Sequence, residues 1–82
     1  MDALAHSTIA PLVTGEPVLD SAHVQMRTMH GAMLAAKAQR QPDGVLRMTA
    51  ELYVEAAHEY QRLRYGRVRQ RLSVGYVLRA LA

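Results

Sequence analysis

Two runs of apolar residues spaced three and four apart, separated by the break Gln41-Pro42-Asp43-Gly44, constrain this chain more than any other feature. Before the break, Ala22, Met26, Met29, Met33 and Ala36 line one side of a helix. After it, Val45, Met48, Leu52, Ala56, Tyr60 and Leu63 do the same over about five turns. The pattern predicts helices over about 21–40 and 44–65, with Asp20 or Ser21 capping the first and Asp43 the second. A tight break between two such segments makes an antiparallel hairpin. Composition agrees, since 13 of the 82 residues are Ala and five are Met, while Phe and Trp are absent. Ala, Leu and Met favour helices, whereas strands draw on aromatic and β-branched side chains.

The flanks are less regular. Residues 1–19 hold Pro11, Gly15 and Pro17, and Gly15-Glu16-Pro17 is a turn that stops any helix begun at Asp2. This segment is read as an irregular N-terminal arm. Residues 66–82 fit a third helix, with a Tyr65, Val68, Leu72, Tyr76 stripe and a kink near 73–75 where Ser73 can cap a last short helix. A strand is the competing reading, because Val68, Gln70, Leu72, Val74 and Tyr76 also alternate with Arg67, Arg69, Arg71 and Ser73. The expected fold class is all-α: a small helical hairpin or three-helix domain over residues 20–82. Chains of this size carry one core at most. A hairpin alone cannot bury both of its stripes, so the arm and tail must close it or a second copy must. Symmetric pairing into a helical bundle is the expected solution.

Charge is the second informative feature. The formal +3 conceals a division at Glu59: residues 1–59 carry four basic residues against all seven acids, while residues 60–82 carry six arginines and no acid. Five of those arginines, Arg62, Arg64, Arg67, Arg69 and Arg71, fall within ten residues. Guanidinium groups suit bidentate contact with carboxylate or phosphate, and Arg and Tyr are enriched among interface hot spots. Arg62, Arg64, Tyr65, Arg67, Arg69, Arg71, Leu72 and Tyr76 are therefore the candidate partner- or phosphate-binding residues. A solvated arginine face is the plainer alternative, since most surface charge contributes little.

Other chemistry has weaker support. No Cys is present, which removes disulfides, thiolate metal sites and thiol nucleophiles. His23, Met26, His30 and Met33 share one helix side and offer imidazole and thioether donors suited to a soft ion. Met at this spacing is also ordinary core filling. Glu55-Ala-Ala-His58 has the Glu-x-x-His spacing of carboxylate-bridged metal bundles, but both residues fall off the Val45, Leu52, Leu63 stripe and so read as exposed. Glu59 is placed to pair with Arg62 on that surface. No phosphate-binding Gly loop, nucleophile elbow or zinc-protease motif occurs. Neither catalysis nor a cofactor is expected.

The N-terminus lacks the positive region of a secretory signal, and no run approaches a membrane span, so a cytoplasmic address without membrane association is expected. The functional expectation is a non-enzymatic interaction module, an adaptor, chaperone-like protein or inhibitor. It docks an arginine-rich C-terminal helix on an acidic protein or complex. The alternative is a small nucleic-acid-binding protein or transcriptional regulator using the same basic segment, and a His/Met or Glu/His metal-binding bundle is a remote third.

Overall fold

The computed structural model describes residues 7–82. The expected stop to a helix begun at Asp2 falls partly on residues 1–6, outside that range. Three helices follow in order, α1 (Pro17–Ala38), α2 (Asp43–Tyr65) and α3 (Val74–Leu81). No strand occurs among the described residues, so the strand alternative for 68–76 is not adopted.

Helix α1 starts at Pro17, ahead of the predicted cap. Gly15 makes the preceding turn at φ 89°, and a proline in the first turn lacks only an N–H that would have no helical partner. Asp20 therefore lies inside the first turn instead of capping it. Its carboxylate reaches back to accept from the Thr14 hydroxyl at 2.6 Å and from the Thr14 and Gly15 N–H groups at 2.8 and 3.1 Å. These bonds, Thr14's first, hold its pKa below the usual carboxylate value. At the other end Arg40 takes a left-handed φ of 55°, which lets the Gln41 N–H close onto the Ala36 carbonyl at 3.0 Å.

Helix α2 also begins differently from expectation. Pro42 is the cap residue, with its carbonyl accepting from the Val45 and Leu46 N–H groups at 3.0 and 3.1 Å. Asp43 is the first helical residue, where its charge suits the helix N-terminus without a side-chain cap bond. Gly66 ends α2 at φ 78°, donating to the Arg62 carbonyl at 2.8 Å. The predicted helix over 66–82 is therefore replaced by a loop through Ser73. Ser73 does cap a short last helix, accepting the Tyr76 N–H at 3.1 Å.

The hairpin forms, but the buried stripe of α2 is not the predicted one. Ala50, Val54, Ala57 and Tyr60 are buried, while Met48, Leu52 and Leu63 remain 53, 44 and 44% exposed. Small side chains explain the choice. Ala50 and Ala57 let α1 approach closely, and helix spacing is set by the side chains at the contact. Met33, 2% exposed, packs with Ala50, Val54 and Val77, joined by Leu46, Leu78 and Leu81. Met26 packs with Ala57 and Tyr60, joined by Ile9, Leu12 and Leu19. Tyr53 and Leu72 touch both groups. The N-terminal segment and α3 thus close the hairpin from opposite ends within one chain. None of the described helices is long and apolar enough to cross a membrane.

Candidate functional site

Six of the eight candidate binding residues, Arg64, Tyr65, Arg67, Arg69, Arg71 and Leu72, sit on the loop that follows α2 or at the helix end that leads into it. Two α2 side chains hold this loop. The Gln61 amide accepts the Arg69 and Gln70 N–H groups at 2.8 and 2.6 Å and donates to the Gln70 carbonyl at 2.8 Å. One turn earlier, His58 Nε2 accepts the Leu72 N–H at 2.9 Å. The loop's inward N–H groups are consumed by these bonds, and Arg67, Arg69 and Arg71 are exposed. Arg67, Arg69 and Arg71 therefore leave a pinned loop and not the helix face expected from the sequence.

The spacing predicts an exposed His58, but the side chain is buried at 9% exposure. The loop explains the difference, because residues 71–74 fold back across this side of α2. Accepting a backbone N–H requires an unprotonated Nε2. Burial lowers the His58 pKa, and Arg71 and Arg62 lower it further, so the neutral ring is favoured.

Beside the loop lies a cleft of about 520 Å³ lined by Tyr53, Tyr60, Tyr65, Gln61, Arg69 and Leu72. Tyr65 has guanidinium groups near its ring, Arg69 at 4.7 Å and Arg64 at 5.4 Å from the centroid. Arg64 also lies 5.8 Å from the Tyr60 ring centroid and donates to the Tyr60 hydroxyl. Such cation–π contacts favour these positions for the arginines. Among the described residues, neither Arg64, Arg67, Arg69 nor Arg71 is paired with a carboxylate. The cleft is therefore a tyrosine-lined hollow of mixed polarity beside cations that have no counter-charge among the described residues.

Not all candidates converge there. Arg62 pairs with Glu59 at 3.1 Å, as expected, on the exposed side of α2. Tyr76 is exposed on α3 and lines a separate hollow of about 300 Å³ with His30, Met33 and Ala80. Sequence reasoning missed Gln61, Tyr53 and Tyr60 as parts of the site. Gln61 carried a usable signal: it falls four residues after Ala57 and seven after Val54, a polar side chain on a core line.

The metal candidates serve other ends. His23 is 5% exposed with its ring edge on Tyr60, 5.0 Å between centroids, and its Nδ1 has no hydrogen-bond partner among the described residues. His30 packs on Tyr53 at 4.9 Å and is hydrogen-bonded to Ser7 Oγ at 2.8 Å. Burial lowers both pKa values, aided at His23 by Arg27 and Arg64 against an opposing Asp20. Met26 and Met33 belong to different core groups, and Glu55 is exposed while its neighbour His58 is buried. The donors are strung along the helix axis instead of meeting at a point. No cluster of three or more His, Asp or Glu suited to a metal ion occurs among the described residues.

Comparison of the chain with protein-family models, with curated proteins and with solved structures finds no match.

Proposed function

We propose that this chain is a non-enzymatic protein–protein interaction module of the adaptor, chaperone-like or inhibitor kind. It docks the pinned arginine loop, in place of an arginine helix, on an acidic segment of a partner. The observation that carries this reading is the cleft itself, where tyrosines beside guanidiniums that meet no carboxylate among the described residues offer apolar contact and charge together. A partner segment that seats an apolar side chain among Tyr53, Tyr60 and Leu72 and carries Asp or Glu beside it satisfies both. Arg64 and Arg69 are held by Tyr60 and Tyr65 before binding, which reduces the ordering cost of association.

Affinity capture from extract of the native cell tests this, comparing wild type with Arg69→Glu and Arg67→Glu/Arg71→Glu. Acidic proteins retained by wild type and lost from both variants support the reading, and identical recovery defeats it. Nucleic-acid binding is the rival, because a tyrosine between guanidiniums is also a base-stacking platform. Micromolar affinity for random-sequence single-stranded or duplex DNA or RNA at low salt, with a steep salt dependence, decides for that rival.

A further inference from the structure

The loop is fastened to α2 at two points that differ in chemistry. Gln61 holds Arg69 and Gln70 through an amide that carries no charge at any ordinary pH. His58 holds Leu72 through Nε2, which accepts the Leu72 N–H at 2.9 Å only while that nitrogen lacks a proton. An imidazolium has two donors and no acceptor, so no rotation of the charged ring restores the bond. Two parts of the molecule depend on this point. Leu72 lines the tyrosine cleft and packs on both core groups, and Ser73, next in the chain, caps α3. The ring fronts a hollow of about 450 Å³ to which α2 contributes Glu51, Glu55 and Arg62, and α3 contributes Val74. Arg71 of the loop also lies close enough to act on the ring, and among the described residues α1 adds nothing to this wall. Glu51 is paired with Arg47 at 3.6 Å and Arg62 with Glu59 at 3.1 Å.

We propose that His58 is a proton-operated latch: a proton taken up at Nε2 releases Leu72 from α2, while Gln61 keeps Arg69 and Gln70 in place. The closed latch favours the neutral ring, through burial first and then through Arg71 and Arg62, whose effect Glu51 and Glu55 do not offset. An opened, hydrated ring returns towards the ordinary histidine value of about 6.5. Protons therefore favour the open form. The latch is tightest above about pH 6.5, and its opening equilibrium rises by up to about tenfold for each pH unit below that, until the closed-state pKa is passed. Release of Leu72 takes one wall from the tyrosine cleft and loosens the lead into the Ser73 cap. The consequence for docking, weaker engagement in acid, rests on the interaction role proposed above, whereas the latch itself does not.

Amide hydrogen exchange and the His58 ring resonances, both followed by NMR on the full chain from pH 7.5 to 5, test the latch. With intrinsic exchange rates divided out, Leu72 should lose protection by about three- to tenfold in step with the His58 titration. Ala50 and Val54 should keep theirs, which separates local opening from unfolding. His58→Gln, whose amide oxygen accepts at every pH, should hold Leu72 protection level across the same range. Leu72 protection that stays unchanged while the ring titrates overturns the proposal. So does a ring that remains neutral until Ala50 and Val54 open together with Leu72, or an acid-dependent loss at Leu72 that persists in His58→Gln. Identical capture by wild type and the arginine variants defeats the docking role and leaves this readout untouched, so the two can fail separately.

Discussion

The α1–α2 hairpin and the arginine loop are built on opposite principles. The hairpin holds through repeated apolar contacts, Met33 on Ala50 and Val54, Met26 on Ala57 and Tyr60. In residues 67–72 Leu72 packs on the core, and the backbone is fixed by two α2 side chains that satisfy its polar groups. Apolar packing spreads its energy over many atoms, so its loss is graded with the volume removed. Bonds to a single amide are lost together. The hairpin should therefore govern whether the chain folds, and Gln61 should govern whether the loop has one shape.

The largest expected effect is on the hairpin. Met33→Ala leaves a cavity at the least exposed large side chain and should cost about 2–5 kcal/mol in denaturant unfolding. A loss near zero would mean that the core is not where the structure puts it. Gln61→Ala should cost less, about 0.5–1.5 kcal/mol, because the Arg69 and Gln70 N–H groups are exposed and water replaces the lost partner. Amide hydrogen exchange sharpens the contrast: protection should fall at Arg69 and Gln70 while Ala50 and Val54 keep theirs.

Acidity should act on both regions. His23, His30 and His58 all have pKa values depressed in the fold below 6.5, principally by burial. Each therefore stabilises the fold fully above its unfolded pKa, and that contribution is lost as pH falls through 6.5 towards the folded value. Thermal melts between pH 7.5 and 5 should show falling stability, with the slope reduced in His58→Gln, whose amide oxygen can still accept from Leu72. A slope unchanged by removing any of the three histidines would refute this assignment. The smallest effect is a gain. Arg40→Gly relieves a left-handed residue at the end of α1 and should add about 0.5–1 kcal/mol.

Much of the hairpin is legible in the sequence. The Pro42 break, the buried Met26, Met33 and Ala36, the Ser73 cap and the Glu59–Arg62 pair can all be read from spacing. The phase of α2 is not, because that helix carries two apolar faces and the bulkier one faces outward. Alanine adds little to a hydrophobic count, yet Ala50 and Ala57 set how closely two helix backbones approach. The loop was hidden for another reason. Residues 66–72 have no periodic pattern that distinguishes a pinned loop from a helix or strand. Their conformation depends on a Gln and a His in a different element, a nonlocal relation that no window of sequence contains.

Leu72 joins the two halves of the molecule in a way that bears on how it melts. Its side chain contacts both groups of buried residues and its N–H is bound to His58. A disturbance at the loop is therefore shared by both ends of the core. Global unfolding should follow one cooperative transition, and a ligand seated beside Leu72 would raise the melting temperature of the whole chain.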